Sequence, residues 1–130
     1  VEDVFYPGLE SMPGHSLAAE QLLLVDGALE DGSTLNRYGH LMGFTVQGGA
    51  AVARAAFDQL QLIWRAADLG RIKSIATIPS ISTHKQQGES GRKLAEVPDN
   101  LIRLSVGGEN TDDIIADLDQ ALTTTSDLLL

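Results

Sequence analysis

The chain has 130 residues, of which 43% are hydrophobic and 21% charged, a composition typical of one globular domain and not of a disordered or fibrous protein. The formal net charge of −9 would repel phosphate backbones and anionic lipid, so nucleic acid and membrane partners are not expected. The absence of cysteine excludes disulfides and thiolate metal sites, and the three histidines lack a zinc-like spacing. No apolar run reaches the length of a membrane helix, and we expect a soluble, cytoplasmic protein.

The first third of the chain combines short apolar stretches with many turn-forming residues. It begins with Val1 instead of Met and enters an apolar, proline-containing stretch at once, which suggests a piece of a longer protein. Residues 4–6 predict a short strand, and two Pro-Gly pairs lead into a predicted helix over about 15–24. Residues 26–38 contain Asp-Gly pairs and are predicted to form a loop.

The middle of the chain has the clearest periodicity. Residues 39–47 alternate as a strand does and end at a Gly-Gly pair. Apolar residues at steps of three and four then predict a helix over about 50–67, with Trp64 beside its apolar stripe. Gly70 ends this region. The predicted stripe consists of Val52, Ala56, Leu60, Ile63 and Ala67.

The last part of the chain predicts two more strands and a helix. Residues 74–83 form an apolar strand interrupted by Pro79, which favours an edge or a bulge, and residues 84–99 are polar and loop-like. Residues 101–106 predict a strand, and Asn110 predicts the cap of a final helix. Strands separated by helices in mixed order predict one α/β or α+β domain. The buried stripe of the final helix is expected to be Ile114, Ile115, Leu118, Ala121 and Leu122.

Arg103 is the most unusual residue of the predicted strands. Strand alternation places it on the face opposite to Ile102 and Leu104. A guanidinium cannot lose its charge and is costly to bury alone, and its planar shape fits a carboxylate bidentately. The strand therefore predicts a nearby anion. The alternative is that Arg103 lies on a solvated face or pairs with one of the eighteen acidic residues of the chain.

Other residues that could carry chemistry give weaker signals. The Gly-Gly pairs at 48–49 and 107–108 lack the spacing and the lysine of a phosphate loop and are interpreted as turns. His84 has no visible partner, which is more typical of a structural histidine. Three lysines could in principle form an imine, but none has apolar surroundings that would lower its pKa. These are Lys73, Lys85 and Lys93.

The most specific motif reads Leu-Ile-Arg-Leu-Ser-Val-Gly at 101–107, followed by Asp-Asp-Ile-Ile-Ala-Asp-Leu-Asp-Gln-Ala-Leu at 112–122. Four shorter motifs precede it: Tyr-Pro-Gly-Leu at 6–9 with Pro-Gly-His at 13–15, Met-Gly-Phe at 42–44, Leu-Gly-Arg-Ile-Lys-Ser-Ile at 69–75, and Pro-Ser-Ile-Ser-Thr-His at 79–84. In this order they resemble the C-terminal domain of the transsulfuration family of pyridoxal-phosphate enzymes. That family includes cystathionine synthases and lyases, methionine γ-lyase and O-acetylhomoserine sulfhydrylase. The resemblance implies the small C-terminal domain of a fold-type I enzyme over residues 1–130, with a mixed or antiparallel sheet and helices packed on one side.

The resemblance also implies roles for individual residues. The family's arginine in this motif binds the α-carboxylate of the amino-acid substrate, a role that passes to Arg103. Asp68 stands where the family usually has Ser or Asn, so it either points away from the substrate or indicates an unusual one. Thr83 and His84 are candidates for the edge of the substrate pocket, although Ile78 replaces a histidine of that motif. Lys73 stands where lyases mostly have Glu and favours the sulfhydrylase branch.

The family's cofactor site lies outside this chain. Its Schiff-base lysine and its phosphate and pyridine ligands belong to a larger N-terminal domain, and none of these motifs occurs in residues 1–130. The resemblance thus implies a substrate-binding part of a pyridoxal-phosphate lyase or sulfhydrylase, with no catalytic residue of its own. Its partners would be the cofactor domain, in the same or a companion chain, an amino-acid substrate and further copies in a tetramer. The alternative is a non-catalytic binding or assembly module that retains this fold.

Overall fold

The computed structural model describes residues 1–28 and 30–126. They form two compact units, one built from Val1–Val4 and the described residues from Leu41 onward, the other from Phe5–His40. Of the helices in these residues, none has both the length and the apolar character of a membrane span. In chain order the elements are β1 (Val4–Phe5), α1 (His15–Gln21), β2 (Leu23–Ala28), β3 (Thr34–Asn36), β4 (Leu41–Thr45), α2 (Gly49–Gln59), β5 (Trp64–Arg65), β6 (Ile75–Thr77), α3 (Gly88–Leu94), β7 (Leu101–Ser105) and α4 (Thr111–Thr124).

The smaller unit contains α1 and a two-stranded sheet. The predicted loop at 26–38 is wrong in part, because β2 and β3 pair antiparallel, with Leu23 opposite Asn36. The predicted helix is shorter than expected and ends at Gln21. The turn-forming residues predict a loop, but they belong to the connection of an antiparallel pair of strands. Asp31 illustrates this, since its carboxylate accepts hydrogen bonds from the backbone N–H and hydroxyl of Ser33.

The larger unit is built on a five-stranded mixed sheet in the order β1-β4-β7-β6-β5. β7 lies at its centre and runs antiparallel to both β4 and β6, while β5 and β6 are parallel. Phe44 lies opposite Ile102, and both Met42 and Ala76 lie opposite Leu104. The α/β class and the mixed sheet expected from the sequence are confirmed.

The core lies between one face of the sheet and helices α2 and α4. Ile102 and Leu104 are 2% and 1% exposed, and they pack with apolar residues of both helices. The helices therefore cover the face of the sheet that carries Ile102 and Leu104. Arg103 lies on the opposite face, as the alternation in β7 predicts. The buried core cluster contains Phe44, Val46, Val52, Ala53, Leu60, Ile63, Ala76, Ile78, Ile102, Leu104, Ile114 and Ala121.

The predicted helix over 50–67 is wrong in its second half. α2 ends at Gln59, and Leu60 is already extended. The next three backbone N–H groups, of residues 61–63, donate to the carboxylate of Asp117 at 2.8–2.9 Å. Trp64 then lies in β5 and is 55% exposed. The carboxylate of Asp117, more than fifty residues later in the chain, thus accepts the N–H groups that would donate to backbone carbonyls if the helix continued.

Three further expectations need correction. The predicted loop at 84–99 contains a short 3₁₀ turn and helix α3. The predicted strand at 74–83 is limited to β6, an interior strand, and Pro79 starts a 3₁₀ turn instead of lying at an edge. In α4 the Asn110 cap is confirmed, since its side chain accepts the Asp112 N–H. Ile115, however, is exposed, and Asp117 is buried in its place.

Candidate functional site

Arg103 lies in the middle of β7, between Gly43 of β4 and Thr77 of β6. Directly opposed residues of paired strands share a face, so Arg103, Gly43 and Thr77 lie on the side away from the helices. Arg103 is half-buried, and the central strand fixes the position of its backbone.

The hydrogen bonds of Arg103 go to backbone carbonyls. Its Nη2 donates to the carbonyl oxygens of Ala67 at 2.8 Å and Asp68 at 3.0 Å. Within the described part of the chain, no carboxylate pairs with Arg103, and no hydrogen bond leaves its Nε or Nη1. The carbonyls therefore fix one nitrogen of the guanidinium, while its charge is not matched by a protein acid. The N–H groups on Nε and Nη1 remain available to donate to an external carboxylate.

The loop between β5 and β6 supplies both carbonyls and is tied down at several points. The Gly70 N–H donates to the Ser105 hydroxyl at 3.0 Å, and the Gly108 N–H donates to the carbonyl of Ile72 at 2.7 Å. The Asp68 carboxylate forms an ion pair with Arg71. Asp68 therefore approaches Arg103 through its backbone, while its charge is directed to a different arginine.

Ser74 and Glu109 hold the start of β6 against the loop after β7. The Glu109 carboxylate accepts the Ser74 N–H at 2.7 Å and the Ser74 hydroxyl at 2.8 Å, and that hydroxyl accepts the N–H of Gly107. Partial burial disfavours the charged form of Glu109, but hydrogen bonds from Ser74 and the nearby charge of Lys73 outweigh it, so the pKa of Glu109 lies below its usual value. Glu109 was not singled out from the sequence, although it belongs to the long motif.

Thr83 and His84 contact each other. The Thr83 hydroxyl and His84 Nδ1 are 2.9 Å apart. The same segment is attached to β6 through Ser82, whose hydroxyl donates to the Ile78 carbonyl and therefore accepts from Thr77. In the described residues no hydrogen bond joins Thr83 or His84 to Arg103. The structure thus brings together Arg103 and the Asp68 backbone, whereas Thr83 and His84 form a separate pair.

The lysines and glycine pairs do not build a cofactor site. Lys73 Nζ lies 4.5 Å from the centre of the Trp64 ring, so its ammonium group makes a cation–π contact within the chain. Lys85 and Lys93 are exposed. The N–H groups of Gly107 and Gly108 are used within the chain and form no phosphate cradle. None of these contacts among the described residues builds a cradle for a covalently bound pyridoxal phosphate.

The comparisons with known proteins agree with the motifs. Residues 1–123 match the family model of Cys/Met metabolism PLP-dependent enzymes, and the chain belongs to this family. It is 35% identical over 122 residues to an L-methionine gamma-lyase of Fusobacterium nucleatum subsp. polymorphum, which covers 94% of the chain and 28% of the relative. It is 38% identical over 122 residues to the cystathionine gamma-lyase of Bos taurus, covering 94% of the chain and 27% of the relative.

A solved structure gives the same result for the fold. The crystal structure of cystathionine gamma synthase from Xanthomonas oryzae pv. oryzae in complex with cystathionine matches with a TM-score of 0.82 and 33% identity. The match covers 100% of this chain and 30% of that protein. The chain therefore has the fold of one segment of these enzymes and spans less than a third of the length of the relatives it matches.

Proposed function

We propose that this chain is the C-terminal part of a pyridoxal-phosphate enzyme of sulfur amino-acid metabolism, in which Arg103 binds the α-carboxylate of the substrate. The enzyme would be an O-acetylhomoserine sulfhydrylase or a carbon–sulfur lyase. The observation that carries the proposal is the state of Arg103: a half-buried guanidinium with one nitrogen on backbone carbonyls and no acidic partner in the described residues. Membership of the family supports the same role.

The geometry favours recognition of a carboxylate over a merely structural role. Two carbonyl oxygens on Nη2 fix the plane of the guanidinium, since rotation would break both hydrogen bonds. The neighbouring position on β4 is Gly43, so no side chain of that residue competes for the guanidinium. A carboxylate bound to the free N–H groups on Nε or Nη1 would add to the hydrogen bonding of the group and compensate its charge.

The remainder of the active site would come from an N-terminal domain, in the same chain or a companion chain. When bound there, pyridoxal phosphate supplies an electron sink that stabilises the carbanion formed at the substrate α-carbon. This chain would orient the substrate by its carboxylate and form the outer wall of the site. Two large apolar side chains support docking against another part of the enzyme, because Ile72 is 85% and Trp64 55% exposed. We further propose a cytoplasmic homotetramer.

The test uses the complete enzyme that contains this chain. Steady-state kinetics are measured for an amino-acid substrate and for its carboxamide, which lacks the negative charge. For Arg103→Ala we expect kcat/KM on the amino acid to fall by roughly 150-fold, the equivalent of about 3 kcal/mol, mainly through KM. Discrimination against the carboxamide should fall by a similar factor. Arg103→Lys keeps the charge but loses the planar pair of donors, so its defect should be intermediate.

Arg65 offers a matched control. It is an arginine on the neighbouring β5, and its guanidinium binds the carbonyl and carboxylate of Asp58. Arg65→Ala should leave the discrimination between amino acid and carboxamide unchanged. If Arg103→Ala retains both kcat/KM and this discrimination, Arg103 is a structural residue and the proposal is wrong. Failure of the complete protein to bind pyridoxal phosphate would instead favour the non-catalytic module.

A further inference from the structure

Arg71, in the loop between β5 and β6, forms an ion pair with the carboxylate of Asp68. We infer that Arg71 is a positioning residue, which holds the Asp68 carboxylate away from Arg103 and so keeps Arg103 open to the substrate carboxylate. The inference rests on the proposed function of Arg103 and assigns a role to a residue that does not itself touch the substrate.

Asp68 is anchored beside Arg103 through its backbone. Its carbonyl oxygen lies 3.0 Å from Arg103 Nη2. A change in the side-chain rotamer of an aspartate moves its carboxylate by a few ångströms around its own backbone, so the guanidinium is within reach of the carboxylate. A carboxylate placed there would occupy the guanidinium edge that a substrate needs and would repel the incoming anion.

The structure shows the other arrangement. The Asp68 carboxylate pairs with Nη2 of Arg71, three residues later. Gly70, with a φ of 74°, bends the chain between the two residues in a conformation that a larger side chain rarely adopts. The Gly70 N–H also binds the Ser105 hydroxyl at 3.0 Å, which attaches this bend to the same strand that carries Arg103.

The ion pair is too exposed to act mainly through stability. The side chains of Arg71 and Asp68 are 62% and 50% exposed, and such pairs contribute about 0–1 kcal/mol to folding. Its effect is on orientation, because it decides which of two arginines the Asp68 carboxylate faces. The two guanidinium groups compete for one carboxylate, and removal of Arg71 leaves Arg103 as the cation anchored to the Asp68 backbone.

The experiment compares four variants of the complete enzyme by steady-state kinetics. For Arg71→Ala we expect KM for the amino-acid substrate to rise roughly five- to tenfold, with kcat within about twofold of the parent. Arg71→Lys keeps a cation opposite Asp68 and should stay close to the parent. In the double variant Arg71→Ala/Asp68→Asn the competing charge is absent, so KM should return towards the parent value. KM for the substrate carboxamide should change little in any of them.

Arg54→Ala is the fourth variant and the matched control. It removes an exposed arginine from a similar ion pair with Asp58 on α2, and we expect parental KM and kcat. An unchanged KM in Arg71→Ala, with Arg103→Ala defective, overturns the inference and leaves the role of Arg103 intact. Loss of rescue in the double variant also overturns it, because Arg71 would then act on the substrate or the loop directly. If Arg103→Ala has the same kcat/KM as the parent, the proposed function of Arg103 is wrong as well.

Discussion

The carboxylate of Asp117 accepts the backbone N–H of Ile63 at 2.8 Å, which joins α4 to a segment 54 residues earlier in the chain. The same carboxylate accepts the N–H groups of Gln61 and Leu62 and the side-chain amide of Gln120. Asp117 is buried, and all of these donors are uncharged. This one side chain therefore connects the end of α2, the start of β5 and helix α4.

Asp117→Asn should destabilise the protein. The substituted amide keeps one acceptor oxygen and presents N–H groups where the carboxylate accepts them, so at least one backbone N–H of residues 61–63 loses its partner. We expect a loss of about 2 kcal/mol in the free energy of unfolding, measured by urea denaturation at pH 7. Asp119→Asn, at an exposed position of the same helix, is the control and should change stability by less than about 0.5 kcal/mol.

Stability should fall at acid pH because of two carboxylates. Burial favours the neutral form of Asp117, but the hydrogen bonds from residues 61–63 and Gln120 outweigh it and lower its pKa. The pKa of Glu109 is lowered as well. A carboxyl group with a lower pKa in the folded state stabilises the protein fully at pH values above its unfolded-state pKa, near 4. This stabilisation is lost as the pH falls through the folded-state pKa. Urea midpoints should thus decline below about pH 4, and less steeply in Asp117→Asn. An equal decline in both proteins would contradict this account.

Gly107→Ala should be poorly tolerated. A Cβ at this position would lie 2.5 Å from the Lys73 carbonyl carbon and from the Ser74 nitrogen, and it would overlap the Ile72 carbonyl oxygen. These are backbone atoms of a neighbouring segment, which cannot move aside as a flexible side chain does. We expect a loss of about 2–3 kcal/mol in thermal or urea unfolding. Gly14→Ala is the control, since no atom lies within 4 Å of an added Cβ there.

Glu96→Gly should stabilise the protein. Glu96 is the only non-glycine residue with positive φ in the described part of the chain, at 53°. It follows the end of α3, where its N–H binds the Lys93 carbonyl and the Val97 N–H binds the Arg92 carbonyl, the pattern of a Schellman motif. Glycine adopts this conformation without the steric cost of a Cβ, so we expect a gain of about 1 kcal/mol in urea unfolding.

Glu89→Gly is the matched comparison for Glu96→Gly. It makes the same chemical change inside the first turn of α3, where Glu89 has ordinary helical geometry. There the greater backbone freedom of glycine should cost about 0.5–1 kcal/mol. Because the helix dipole alone also predicts opposite signs, Glu96→Gln separates the two causes: a gain as large as that of Glu96→Gly would assign the effect to the lost charge and not to φ.

Several features could be predicted from the sequence because they depend on local periodicity or local hydrogen bonding. The alternation in residues 101–106 places Arg103 opposite the core, and Asn110 caps α4 through its own side chain. The family follows from motifs that are contiguous in the chain. These properties need only a few neighbouring residues, so distant parts of the chain do not change them.

Other features were decided only by tertiary structure. The periodicity through Ile63 favours a longer α2, but three hydrogen bonds to Asp117 outweigh local helix propensity. The buried position of Asp117 and the exposed one of Ile115 depend on what α4 contacts. Likewise, Arg103 binds carbonyls of residues 67 and 68, more than thirty residues away, and no spacing in the sequence indicates that contact. The sequence by itself determined the strand, the face and the charge of this site, while only the packing of distant segments decided its partners.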